Sequence, residues 1–167
     1  MVSIRSATTQ DVSTVRRLAR ESWHAAYDDL LGAETVATTV DEWYDRDALE
    51  ASIADARGRE DATFLVAEDD HGRLVGFVHV VPWPDDPLVA SLLRIYVRPD
   101  SWGAGAGTAL LESAEAEVGS AFDRLRLVVF AENDVGVSFY ESRGFERVET
   151  RESEFEGLEE SVYERPL

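Results

Sequence analysis

Residues 90–111, ASLLRIYVRPDSWGAGAGTALL, change their periodicity in mid-stretch. The first part is an apolar run closed by Pro99 and reads as a buried strand. Three glycines within five residues follow, Gly103, Gly105 and Gly107. Beyond them Leu110, Leu111, Ala114 and Val118 fall at helical spacing and form an apolar stripe. A strand that becomes a helix through such a loop presents several amide N–H groups at the helix N-terminus, which is an anion-binding arrangement. Glycine removes the Cβ atoms that would otherwise hold a phosphate away from the backbone. Two common phosphate loops are excluded. No Gly-Lys-Ser/Thr is present, and a Gly-x-Gly-x-x-Gly fingerprint needs glycine at 108, where Thr108 stands. Taken alone, the spacing also fits a merely tight strand-to-helix connection.

The rest of the chain alternates strand and helix signals without repeat or linker. Residues 2–7 read as a strand and residues 8–11 as a helix start, with Val12, Val15, Leu18, Ala19 and Ser22 at helical spacing toward Tyr27. A second helical region is expected over residues 34–56, with a restart at Asp41. Residues 62–69 and 73–83 form a hairpin around Asp69-Asp70-His71-Gly72. After the glycine helix come a strand over 123–131, a helix over 134–144, and two last strands over 145–150 and 154–165. The order β-α-α-β-β-β-α-β-α-β-β predicts one mixed α/β domain over residues 1–167, with about seven strands and about four helices.

Charge and missing residue types narrow the chemistry. The chain has 34 acidic and 16 basic residues, a formal charge of −18, and all of the basic residues are arginine. Self-repulsion on this scale is relieved when molar salt shortens the Debye length to about 3 Å, and the composition resembles that of proteins from salt-accumulating, halophilic cells. No basic stripe serves a nucleic acid or an anionic membrane. No apolar run approaches the ~20 residues of a membrane span. The N-terminus lacks a signal-peptide pattern, so the expected location is cytoplasmic. Without cysteine there is no thiolate metal site or acyl-cysteine, and without lysine no Schiff base. His24, His71 and His79 are scattered, and no metal site is expected.

The stretch IYVRPDSWGAGAGTALL, followed about thirty residues later by AENDVGVSFYESRGFERV, resembles the GNAT superfamily of N-acetyltransferases. The strand order matches over nearly the whole chain. The resemblance implies a central mixed, mostly antiparallel sheet and acetyl-CoA as cosubstrate. The cofactor's pyrophosphate would lie on Trp102, Gly103, Ala104, Gly105, Ala106, Gly107 and Thr108. The family's loop begins with Arg or Gln; here Trp102 stands in that place and Ala104 where a cation is frequent, which leaves the phosphates mainly to backbone amides. By the same resemblance Ile95, Tyr96 and Val97 hold the pantetheine arm and polarise the thioester carbonyl, Asn133 reaches the arm, Tyr140 lies beside the sulfur, and Phe139, its partner in the family's Phe-Tyr pair, is a further cofactor-binding residue. Asn133 also reads as a helix cap, and Phe139 as core.

The implied reaction is attack of a primary amine, of a small molecule or a peptide, on the acetyl thioester. With no cysteine to hold the acyl group, direct transfer in a ternary complex is expected. Tyr140 is the candidate acid for the departing thiolate. Related sequences often carry a glutamate near Ser91, and serine is no base. His79 is the candidate substitute, beside His24, Asp85 and Asp86, although Asp85-Asp86 within PWPDDP also reads as a turn. Trp23, Tyr27 and Trp83, with Trp43 and Tyr44, are candidates for an acceptor pocket that attracts a cationic amine, or for core. The resemblance leaves a homodimer open.

Overall fold

A computed structural model describes all 167 residues. The chain runs β1 (Ser3–Ser6), α1 (Val12–Leu31), α2 (Ala33–Trp43), α3 (Arg46–Ala56), β2 (Thr63–Glu68), β3 (Leu74–Trp83), β4 (Asp86–Val97), α4 (Ala106–Val118), β5 (Arg124–Phe130), α5 (Asp134–Ser142), β6 (Glu146–Glu152) and β7 (Glu159–Pro166). Five α-helices stand where four were expected, because residues 34–56 hold two helices. The restart falls at Asp45 rather than Asp41. Asp45 leaves the helical backbone, and its side chain accepts the Ala48 N–H at 3.1 Å, an N-cap that starts α3. Asp41 stays inside α2. Helix α1 continues past Tyr27, since Leu30 and Leu31 still find apolar neighbours against the core.

Seven strands form one sheet in the order β1-β2-β3-β4-β5-β7-β6. Every neighbouring pair is antiparallel except β4–β5. Both faces of the sheet centre are covered, so β2 reads as an unbroken apolar run rather than as an alternation. Phe64, Val66 and Phe77 pack with Val15, Leu18, Val36, Leu49 and Ile53 under α1, α2 and α3. Leu65, Val78 and Val80 pack with Leu110, Leu111 and Val118 of α4, together with Leu125 and Leu127. Each fully buried leucine contributes on the order of 2 kcal/mol. No helix is long and apolar enough to cross a membrane.

The sheet's middle is open. Strands β4 and β5 pair only at Val89↔Arg124, Ala90↔Leu125 and Ser91↔Arg126. The cause lies one step further along β4. His79 of β3 is opposite Arg94 but Val80 is opposite Leu92, so Leu93 is an extra residue on β4. Such a bulge bends its strand. Past it, β4 runs on to Val97 and β5 to Phe130 with no strand between them.

Candidate active site

The split between β4 and β5 opens into two adjoining chambers. The larger, of about 780 Å³, is lined by residues 92–97 of β4, the glycine loop, and Asn133, Phe139, Tyr140 and Arg143. The smaller, of about 450 Å³, is walled by Trp23, Tyr27, Trp43, Tyr44, Tyr96 and Phe130, with Arg94 and Glu160 as its charged members. Tyr27, Leu93, Arg94, Tyr96 and Val128 line both, so the chambers meet at the bulge.

At the larger chamber the glycines serve two purposes. Gly103 and Gly105 have φ of 82° and 87°, a left-handed backbone that favours glycine, and a Cβ on either would meet nothing within 4 Å. Gly107 is different. Its Cβ would come within 3.3 Å of the Phe139 ring, so this glycine admits an aromatic from α5 rather than a phosphate. No side chain caps α4, and its first backbone bond runs from the Ala109 N–H to the Gly105 carbonyl at 3.0 Å. The amides before it are free for an anion, as the helix dipole favours. Trp102 does not replace a cation. Its indole N–H donates to the Val97 carbonyl at 2.8 Å and ties the loop to the end of β4. All the loop residues expected at the cofactor line this chamber except Ala104, as do Ile95, Tyr96 and Val97.

Asn133 is both cap and contact. Its Oδ1 accepts the Gly136 N–H at 3.0 Å at the start of α5, and its Nδ2 donates to the Tyr27 hydroxyl at 3.0 Å. This bond joins α5 to α1 across the cleft. Tyr27, Tyr96 and Tyr140 gather where the chambers meet. Burial raises the pKa of all three, and for Tyr96 and Tyr140 the neighbouring phenol of Tyr27 opposes ionisation further. The Tyr140 hydroxyl has no hydrogen-bond partner in the chain. It is a proton-bearing group turned to the cleft.

The structure keeps several expected residues out of it. His79 is buried on the α3 side of β3, its ring 4.7 Å from that of Phe64 and its Nδ1 unbonded. Burial, with the Arg94 charge adding to it, pushes its pKa down to about 3, so it is a neutral packing residue. His79 lines neither chamber. The same holds for His24, which pairs with Asp28 at 2.6 Å on α1, and for Ser91, still inside the paired part of β4. Asp86 accepts the Leu88 N–H at 3.0 Å as a turn residue. Trp83 sits at the same hairpin under the Arg126 guanidinium, 4.9 Å away, and lines neither chamber. Trp23 and Tyr27 line the smaller chamber.

Sequence reasoning passed over Arg94, Arg143, Phe130 and Glu160. Arg143, just past α5, stacks 4.3 Å over Phe139 and donates from Nε and Nη2 to Thr108 Oγ1. This places a guanidinium beside the uncapped end of α4. It arrives from 35 residues away rather than from the loop itself. The available signal for Arg94 was a lone charge inside the apolar run SLLRIYV.

Comparison with known proteins agrees with this architecture. Residues 16–145 match the model of the acetyltransferase (GNAT) family. The chain is 31% identical over 164 residues, 98% of either chain, to the spermidine N(1)-acetyltransferase of Thermoplasma acidophilum. Its structure is similar to that of PaiA N-acetyltransferase from Thermoplasma acidophilum in complex with coenzyme A, with TM-score 0.85, 27% identity and coverage of 100% and 99% of the two chains. It shares its fold with a GNAT-family acetyltransferase from Streptococcus pneumoniae at TM-score 0.73 and 20% identity, over 100% of both chains.

Proposed function

The chain belongs to the GNAT family of acetyltransferases, and on that footing we propose that it transfers the acetyl group of acetyl-CoA directly to the primary amine of a small molecule, with both substrates in the split sheet at once. Acetyl-CoA supplies the activated acetyl group as a thioester. The observation that carries the proposal is the meeting of the two chambers at Tyr27, Leu93, Arg94, Tyr96 and Val128. Molecules in the two chambers approach each other there, which removes any need for a residue to carry the acyl group between them.

The phosphates suit the larger chamber. Free amides at the start of α4 and the Arg143 guanidinium face that space, the first as oriented dipoles and the second as a charge. The extended backbone of residues 92–97, without a strand on its β5 side, offers hydrogen bonds to the amide-bearing arm. Tyr140 donates a proton to the leaving sulfur; its raised pKa keeps it protonated throughout the working pH range. None of the five residues shared by the chambers is a carboxylate or a histidine, so the incoming amine gives its proton to water before attack; Glu132 and Asp134 line the larger chamber alone.

The test is thiol release from acetyl-CoA with a panel of amines, spermidine among them, run in molar KCl to screen the −18 charge. Steady release above hydrolysis is expected. Tyr140→Phe keeps the ring and the helix, so acetyl-CoA affinity holds while turnover falls on the order of 10²-fold. Wild-type turnover in this variant, with chemistry shown to be rate-limiting, removes Tyr140 as the acid.

A further inference from the structure

Arg94 gives the acceptor chamber a charge that nothing in the chain neutralises. Its guanidinium lies 4.6 Å over the Tyr44 ring, Nη2 donates to the Trp43 carbonyl at 3.2 Å, and Nη1 is buried with no acceptor at all. In a chain with 34 acidic residues to 16 arginines, no carboxylate is paired with it. The other charged wall, Glu160, accepts a hydrogen bond from Arg151 Nε at 2.8 Å and is already compensated. The chamber therefore combines aromatic faces with one unmatched cation. Aromatic faces alone suit a second ammonium group, but a fixed guanidinium in the same space repels one. A guanidinium with a free N–H is matched instead by a carboxylate, the planar anion that its donor geometry fits.

We propose that the acceptor is a carboxylate-bearing amine of the amino-acid class with an apolar or aromatic body, and that Arg94 binds its carboxylate. The inference rests on the acetyl-transfer reading above and adds the substrate class. Arg94 lines both chambers, so a carboxylate held on it leaves a nearby amine at the point where they meet. The aromatic body lies among Trp23, Trp43 and Phe130. In the transfer, the amine nitrogen forms a bond to the acetyl carbon as the carbon–sulfur bond breaks. One proton leaves nitrogen for water, one reaches sulfur, and nothing is oxidised or reduced. At the other end of the cleft Arg143 is likewise without an ion-pair partner, bonded only to the hydroxyls of Thr108 and Ser142. Arg143 in the larger chamber and Arg94 where the two chambers meet are thus each left without an ion-pair partner in the chain.

Matched acceptors of the same skeleton test this: phenylalanine against phenethylamine, and lysine against cadaverine, with spermidine as the purely cationic reference. Wild type is expected to favour the acid of each pair by at least about tenfold in kcat/KM, a difference of roughly 1.4 kcal/mol. Arg94→Met is expected to erase that preference by lowering kcat/KM for the acids. Should Arg94→Met fail to fold, Arg94→Lys keeps the charge but loses the fork, and is expected to lower kcat/KM for the acids alone. Preference of wild type for spermidine or the decarboxylated twins overturns the inference and leaves acetyl transfer standing, as does an unchanged preference in folded Arg94→Met. If no amine is acetylated, calorimetric titration of the acids onto CoA-saturated protein decides. Binding lost in Arg94→Met upholds the carboxylate site while the transfer reading falls, and absence of any binding overturns the site.

Discussion

On the side of the cleft proposed for the cofactor, residues 102–108 bring most of the free amides from one short piece of chain, whereas on the side proposed for the acceptor Trp23, Trp43, Arg94, Phe130 and Glu160 come from five different elements. The first side works mainly through the backbone. Its requirements are local: a left-handed turn at Gly105, a helix left uncapped, and no Cβ where Phe139 must pass at Gly107. The second works through side chains whose only relation is their position in the finished fold. A backbone site tolerates few changes at a few places. A side-chain pocket spreads its contribution and can be retuned one wall at a time.

The largest effect that can break this contrast is expected at Gly105. Acetyl-CoA at ~100 times its dissociation constant stabilises the wild type by about 2.7 kcal/mol. Gly105→Glu puts a carboxylate and a strained left-handed residue in the phosphate cradle, so that thermal shift is expected to vanish. An undiminished shift in a folded variant shows that the loop is not the cofactor site. Next comes Arg143→Gln, which removes the one cation found beside the loop. Calorimetry is expected to show acetyl-CoA affinity weakened about tenfold, the size of one charge-assisted contact at a half-exposed position. An unchanged affinity makes the amides sufficient and sharpens the backbone side of the contrast. The smallest effect belongs to the acceptor wall. Trp43→Leu is expected to raise the acceptor KM about threefold, in keeping with loss of one partly exposed aromatic face, and to leave acetyl-CoA binding as it was. Equal damage to both ligands means that the chambers are not energetically separate.

The same contrast explains what could be read from the amino-acid sequence. Strand β4, the glycine loop and α4 follow one another directly, so composition and spacing place them, whereas Asn133, Phe139 and Tyr140 follow from the family resemblance of a motif that spans the cap and body of α5. His79 misled because sharing a sheet face with its cross-strand partner Arg94 does not bring a side chain of β3 into the cleft. Its ring lies against Phe64 on the α3 side, where burial and not catalysis sets its protonation. Trp83 misled because an aromatic beside Pro82 and Pro84 can close a hairpin as readily as line a pocket. Arg143 was hidden for a further reason. A cation absent from its expected position was supplied from another helix end, and only the closeness of Phe139 to Gly107 brings that end to the loop. The helix break at Asp45 was legible as an aspartate cap, though Asp41 offered the same residue type only four positions earlier.

The bulge at Leu93 reaches beyond the site. Because it turns β4 aside after only three pairs with β5, the ladder is continuous on either flank and missing its rungs along the midline. The apolar layer beneath α4 still joins Leu92 to Leu125 and Leu127, so beyond the three paired positions the flanks remain attached through packing rather than through ladder hydrogen bonds. Packing resists separation but permits small sliding and breathing, which directional bonds would forbid. A ligand that bonds to the bare edge of β4 adds the directional restraint that the chain leaves out. Substrate occupancy is then expected to stiffen the molecule along its centre, read as slower amide exchange at the middle of the sheet, far from the reacting atoms.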